Sequence, residues 1–262
     1  MHSYLQEILT HKQHEIEVLY RNEQLVKELT HFKKTPIKKV SSVFKQQLST
    51  PGLNVIAEIK RKSPSKGALA EIQDPVALAI TYANAGCAAI SVLTDAFRFS
   101  GSMDDLKKIK AHVNCPILRK DFMMDEIQLM ETALSGASAV LLIVAVLGEQ
   151  TKAFLTLCRQ LGLDALVEVH TREEIDIAVA AGAEIIGVNN RNLETFHVDV
   201  NHAKQLVQYL PYDIIKVSES GIHDVQTAQS FYEVGYHAVL LGEALVTAAH
   251  PDMFIKQLKD IV

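Results

Sequence analysis

The sequence predicts an α/β protein built as a single (βα)8 TIM barrel, with a helical extension ahead of its first strand. Three observations predict it. Eight short apolar runs alternate with helical patterns, the runs recur at a regular interval, and one joint motif punctuates five of them. The runs lie at 55–60, 88–94, 116–120, 139–144, 165–169, 184–189, 214–219 and 237–242. They are rich in Val, Ile and Leu, and most lack polar alternation, as parallel strands covered on both faces do. Strand ends at Lys60 and Gly242 enclose seven repeats of about 26 residues each, enough for a strand, a helix and two short loops.

The joint motif is a glycine between a helical pattern and the next strand. It recurs in AGCAAISVL from Ala85, SGASAVLLI from Ser135, LGLDALVEV from Leu161, AGAEIIGVN from Ala181 and VGYHAVLLG from Val234. Gly86, Gly136, Gly162, Gly182 and Gly235 are therefore expected to end helices in the left-handed conformation. An open doubly wound sheet is the alternative, but it would usually carry GxGxxG after its first strand. Here that strand is followed by RKSPSKG from Arg61.

Residues 1–50 precede the first unit and are expected to pack on the barrel rather than to form a second domain. Leu5, Ile8, Lys12, Ile16, Leu19 and Leu25 include helical spacings, which predicts one long amphipathic helix. Phe44 and Leu48 predict a second, short one.

The length of 262 residues suits one such barrel. A net charge of −5 gives no reason to expect nucleic acid, so an anionic substrate must be held by local positive groups. The three cysteines are too far apart in sequence for a CxxC pair and are expected to be buried thiols of a reducing compartment. No basic-then-apolar leader opens the sequence. The longest apolar run, at 139–147, has nine residues, short of the ~18 that suggest a membrane span. A cytoplasmic location and no membrane partner are expected. His11 and His14 are three apart on a predicted helix, but no third ligand is in view and HExxH is absent, so no metal site is expected.

In this fold the reacting groups sit at the C-terminal ends of strands. Here those ends are polar: Glu58 and Lys60, then Lys120, Glu168, Asn189 with Arg191, Glu219 with Ser220 and Gly221, and Gly242 with Glu243. Strand 4 alone is wholly apolar. Alternation puts Ile56, Glu58 and Lys60 on one face, as it does Leu118, Lys120 and Phe122, and Leu166, Glu168 and His170. If the apolar members fill the barrel, the charged members line its mouth. Such a cluster could be a structural ion-pair network, but on a fold that places its sites there it points to catalysis. Ser220-Gly221 and Gly242-Glu243 follow the strands whose loops commonly bind phosphate through backbone N–H groups.

Several segments resemble the indole-3-glycerol-phosphate synthase family: VIAEIKRKSPSKG at 55–67, SVLTD at 91–95, PILRKDF at 116–122, LVEVH at 166–170, GVNNRNL at 187–193, SESGI at 218–222 and LLGEAL at 240–245. The resemblance covers essentially the whole chain. Arg98-Phe99 stands where the family often has paired aromatics, and Glu243 where several members have a small polar residue. The resemblance implies ring closure, decarboxylation and dehydration of 1-(2-carboxyphenylamino)-1-deoxyribulose 5-phosphate to indole-3-glycerol phosphate. It implies no cofactor. A monomer is expected, with association with other tryptophan-pathway enzymes left open.

Lys120 is the candidate general acid for the substrate ketone, with its pKa lowered by Lys60 and partial burial. Glu168, with Glu58, is the candidate base, and Lys60 the candidate acid for dehydration. Lys60 should also face a carboxylate or phosphate. Asn189 and Glu219 should orient hydroxyl and amine groups, and Arg191 should hold a neighbouring carboxylate. Ser63 and Pro64 should shape the loop after strand 1. Phe99, Phe122 and Leu141 should wall the aromatic ring, although Leu141 could equally be barrel filling. Ser220, Gly221, Gly242 and Glu243 should take the phosphate, the last through its backbone N–H. Two alternatives remain: another phosphosugar barrel enzyme such as phosphoribosylanthranilate isomerase, and a non-catalytic barrel that binds a phosphorylated metabolite.

Overall fold

The computed structural model describes residues 4–34, 42–63, 67–69 and 71–262. Among these, eight parallel strands close into a barrel: β1 (Asn54–Ile59), β2 (Ala89–Leu93), β3 (Ile117–Lys120), β4 (Ala139–Ile143), β5 (Asp164–Val169), β6 (Ile185–Asn189), β7 (Ile215–Glu219) and β8 (Ala238–Leu241). Each pairs with its sequence neighbour, and β8 closes on β1 with Asn54 opposite Ala238. Every expected strand is present with its ends within one residue. At β3 the strand starts after Pro116, which has no N–H to give the ladder; its carbonyl still accepts from Ile90.

Alternation splits each strand between two cores. Ile56, Leu118, Leu141, Leu166, Ile185, Val217 and Leu240 fill the barrel interior. Val55, Ile90, Val140, Val167, Ile186 and Val239 face the surrounding helices. The five glycines expected at the joints all have positive φ, from +72° at Gly162 to +101° at Gly235. That backbone conformation favours glycine at each joint.

The segment before the barrel differs from expectation. It forms α1 (Tyr4–Tyr20), α2 (Glu23–Lys34) and α3 (Val43–Leu48), so the stripe from Leu5 to Leu25 spans two helices rather than one. The break is at Asn22, whose side-chain oxygen accepts from Leu25 N at 3.2 Å and caps α2. Phe44 and Leu48 of α3 join the barrel interior. Asp164, at the start of β5, receives the backbone N–H groups of Phe44 and Lys45 at 3.1 and 3.0 Å. A carboxylate there offsets the positive end of α3 and seats it where the strands begin.

The helix α1 lies at the opposite end, held by a buried charge. Lys12 is 1% exposed and its ammonium is 2.8 Å from Asp121 and 3.3 Å from Asp95, both buried. Asp121 also faces Arg119 and accepts from Thr94 at 2.6 Å. Burial alone would lower the Lys12 pKa; the two aspartates outweigh it and hold the pKa above the ordinary value. Arg98 adds a second tether, pairing with Glu7 and lying 4.7 Å from the Phe97 ring. Of the two histidines considered as metal ligands, His11 stacks on Phe97 at 4.4 Å, while His14 is exposed beside Glu17.

Removing one partner of a buried ion pair leaves the others uncompensated. Lys12→Ala is expected to lower stability by roughly 3–5 kcal/mol, read as a lower urea midpoint at unchanged slope. A change under ~0.5 kcal/mol would mean that this contact does not hold α1 down.

Candidate active site

Five strand-end groups converge above the interior layer of the barrel. Glu58 is 2% exposed and lies 2.9 Å from the Lys60 ammonium. The Lys120 ammonium lies 3.5 Å from Glu168 and 3.4 Å from Glu219, each of which is 1% exposed. Successive residues at the end of β3 thus face opposite ways: Lys120 enters the mouth, while Asp121 turns out to hold Lys12.

Two glycines make room for this cluster. A Cβ at Gly187 would collide with the Glu219 carboxylate. One at Gly242 would collide with the Glu58 carboxylate and stand 2.9 Å from the Lys60 ammonium. The sequence reading gave Gly242 a role toward phosphate; its missing side chain also gives the Glu58–Lys60 pair its space.

Three carboxylates against two ammonium groups leave one carboxyl in excess. Burial pushes Glu219 up to about 8; Lys120 opposes this, and Glu168 and Glu58 add to it. Burial also disfavours ionised Glu58, but Lys60 and Lys120 outweigh it and hold its pKa below the usual value. Glu219 is therefore the group that keeps its proton at neutral pH. The expected lowering of Lys120 is not found. Burial does push it down, but Glu219, Glu168 and Glu58 together raise it above the ordinary lysine value. Lys60 was weighed as its neighbour, whereas the nearest charges are carboxylates.

A cavity opens over the cluster. It is lined by Glu58, Lys60, Lys120, Glu168, Asn189, Arg191 and Glu219, and by Phe99, Phe122 and Leu141. The Phe99 and Phe122 ring centres are 6.3 Å apart. Leu141 belongs both to the cavity wall and to the barrel interior, so its two readings coincide. Asn189 accepts from Arg191 N at 2.9 Å. Burial lowers the Arg191 pKa against the opposing charges of Glu243 and Glu58.

One rim of the cavity is formed by Ser220, Gly221, Gly242 and Glu243. Ser220 and Gly221 both have positive φ, +68° and +80°, a turn that directs consecutive backbone groups to one side. Asn190 fixes it, donating to the carbonyls of Glu219 and Ser220 at 3.1 Å. Pro64 lies outside the described residues, and for Ser63 only the backbone pairing with Gly67 is described.

Some lining residues had no signal in the sequence reading. Leu5 and Ile8 of α1 roof the cavity, joined by Leu193 and Phe196 from the segment after β6 and by His223 after β7. The i, i+3 spacing of Leu5 and Ile8 marks a packed helix face but not what it faces. His170 was placed on the face of Glu168 without a role. Its ring lies behind Glu168, with Nε2 3.5 Å from that carboxylate and Nδ1 3.5 Å from Glu174. Among the described residues no group of three or more His, Cys, Asp or Glu is arranged to hold a metal ion. Cys87 and Cys115 lie 3.8 Å apart just ahead of β2 and β3, at the far end of the barrel.

A family model described as indole-3-glycerol phosphate synthase matches residues 5–258. Among curated relatives, the indole-3-glycerol phosphate synthase of Thermoanaerobacter pseudethanolicus is 41% identical over 242 residues, covering 92% of each chain. That of Lachnoclostridium phytofermentans is 44% identical over 84% of this chain and 81% of its own, and that of Micrococcus luteus 50% over 77% and 75%. Among solved structures, 3-hexulose-6-phosphate synthase from Salmonella typhimurium superposes with a TM-score of 0.65 at 14% identity, over 79% of this chain and 97% of that one. Tryptophan synthase from M. tuberculosis gives 0.61 at 15%, over 83% and 96%. Both likenesses concern the fold.

The raised pKa of Glu219 has a stability consequence. The folded state binds this proton more tightly than the unfolded chain, so stability falls as pH rises from the ordinary carboxyl value through about 8. Glu219→Gln leaves two carboxylates for two ammonium groups. It is expected to raise stability by roughly 1–3 kcal/mol at pH 7 and to flatten its decline toward pH 8, measured as Tm against pH. An unchanged profile would show that Glu219 does not carry the excess proton.

Proposed function

We propose that this chain, which belongs to the indole-3-glycerol phosphate synthase family, closes the indole ring between Lys120 and the apolar wall of Phe99, Phe122 and Leu141. The overall reaction is ring closure, loss of carbon dioxide and dehydration of a phosphorylated substrate. What supports the assignment of roles is one observation: a lysine held between two buried carboxylates, 3.5 and 3.4 Å away, at the floor of a cavity with an apolar roof.

A carbon of the substrate's aromatic ring attacks its ketone, and negative charge develops on the ketone oxygen. Lys120 gives that oxygen a proton. In the empty site the proton is held tightly by the carboxylates; an oxyanion growing next to the ammonium becomes a stronger competitor for it. Exclusion of water by Leu5, Ile8 and Phe122 strengthens the interaction. Departure of carbon dioxide restores the aromatic ring. Lys60, paired with Glu58, protonates the leaving hydroxyl, and Glu168 takes the proton released in dehydration. Glu219, carrying its own proton, donates to a substrate hydroxyl or amine and Asn189 orients it. The substrate's phosphate sits at Ser220, Gly221, Gly242 and Glu243 on backbone N–H groups, with Arg191 offsetting the Glu243 carboxylate.

We read residues 1–50 as part of a single barrel domain, its helical cover, and the protein as a cytoplasmic monomer. Among the described residues no helix is long and apolar enough to cross a membrane.

Loss of a positioned general acid typically costs ~10²–10⁴-fold in rate. Lys120→Ala is expected to lose at least that much in kcat while keeping its unfolding transition. Product formation is followed by indole fluorescence, against a protein that contains no tryptophan. Activity within about threefold of the parent would remove Lys120 from this role.

A further inference from the structure

The mechanism proposed above uses none of the three cysteines, yet two of them are neighbours. Cys87 lies two residues ahead of β2 and Cys115 two ahead of β3. These strands pair in parallel, with Ile90 opposite Ile117. Two positions 28 residues apart in sequence therefore meet where the strands begin, at the end remote from the cavity. Their sulfurs are 3.8 Å apart, and the Cys115 sulfur is also 3.6 Å from the Cys87 carbonyl. A disulfide has about 2.0 Å between its sulfurs, which leaves about 1.8 Å to close by rotation of two short side chains. Cys158, in the helix Thr151–Leu161, is buried.

The two neighbouring thiols differ in their surroundings. Cys115 is partly exposed, whereas Cys87 is buried. Both border a cleft walled by Gln47, Ile80, Asn84 and His112, so a small solute can approach without entering the barrel. Cys115 precedes Pro116, which restricts its backbone to the extended region and limits where its side chain points. The hydrogen bond from Cys87, joined by the Lys110 ammonium, lowers the Cys115 pKa against the effect of burial. The same contact and burial raise that of Cys87. One thiol is thus suited to attack as a thiolate, and the other to keep its proton until it resolves the product.

We propose that Cys115 and Cys87 form a peroxide-reactive dithiol, a modification site that takes hydrogen peroxide and closes to a reversible disulfide within the chain. The Cys115 thiolate attacks one peroxide oxygen and the O–O bond breaks. The hydroxide that leaves takes up the proton released by Cys115 and becomes water, and the sulfur is left as a sulfenic acid. The Cys87 thiol then attacks that sulfur. The S–O bond breaks, hydroxide departs with the Cys87 proton as a second water, and the S–S bond forms. Two thiols have lost two electrons, and one peroxide has become two waters. A dithiol reductant restores both cysteines by thiol–disulfide exchange.

The neighbouring thiol decides the fate of the oxidised sulfur. A sulfenic acid left alone proceeds to sulfinic and sulfonic acids, which simple thiols do not reverse. Cys87 intercepts it at the first step. The bridge ties the starts of two adjacent strands and leaves Lys60, Lys120 and Glu168 at the other end untouched, so turnover continues while the thiols are oxidised. None of this depends on the roles proposed for the cavity residues.

The full chain is treated with a slight excess of hydrogen peroxide, and its intact mass, free thiols and turnover are followed. The expected mass is lower by two hydrogens, and free thiols fall from three to one. A non-reduced peptide map should link Cys87 to Cys115, dithiothreitol should restore both, and turnover should stay within about twofold of the untreated protein. In Cys87→Ala, a 1,3-diketone probe should label Cys115 as its sulfenic acid, and without the probe Cys115 should gain oxygen that dithiothreitol does not remove. In Cys115→Ala, Cys87 should stay reduced at the same dose. Measurements on the parent alone can overturn the proposal: oxygen accumulating on Cys115 while Cys87 stays reduced, a bridge between two chains, or oxidation of the pair no faster than that of buried Cys158. Loss of turnover on bridging would overturn it too, as would oxidation of Cys87 in Cys115→Ala at the parental rate.

Discussion

The organising constraint of this molecule is an imbalance of buried charge at the barrel mouth. Glu58, Glu168 and Glu219 are each nearly without solvent contact, and the ammonium groups of Lys60 and Lys120 stand among them. Water cannot screen such a set, so its protonation is decided by its own geometry. Glu219 holds the surplus proton, Glu58 is held ionised, and Lys120 becomes a reluctant acid until a stronger base grows beside it. The surrounding architecture serves the same arrangement. Gly187 and Gly242 clear its space, the apolar layer of Ile56, Leu118 and Leu166 forms its floor, and Leu5 and Ile8 of α1 line the cavity above it.

Much of the fold was legible because parallel strands buried on both faces have little choice of residue. Runs rich in Val, Ile and Leu marked all eight strands, and the alternation that placed Ile56 and Leu118 on the face of the charged strand ends separates them from Val55 and Ile90, which lie in the other core. The joint glycines were legible for a different reason: a left-handed turn there excludes nearly every other residue. The helical segment was read less well. Apolar spacing continues through Asn22, so the pattern alone joined two helices, and only the capping contact to Leu25 separates them.

The site was legible to the extent that it is built on strand ends. Parity brought Glu58, Lys60, Lys120 and Glu168 together, and the cavity also gathers Asn189, Arg191, Glu219, Ser220, Gly221, Gly242 and Glu243. What depends on distance was not legible. The shift of Lys120 is a sum over three carboxylates from three other strands, and its sign emerges only when each is located. Lys12 was placed on the helix stripe with no partner named, because Asp95 and Asp121 come much later in the chain. The roof residues Leu5 and Ile8 carry the same ambiguity, since spacing specifies a packed face without naming what it meets.

The seating of α1 has a consequence for how the protein is made. Lys12 leaves the ribosome long before Asp121, so the first helix is synthesised with its anchor charge and its apolar face unmatched. Its ammonium cannot meet Asp121 until the third strand has emerged. A nascent chain stalled before that point leaves the apolar face of Leu5 and Ile8, which later lines the reaction chamber, uncovered and open to association.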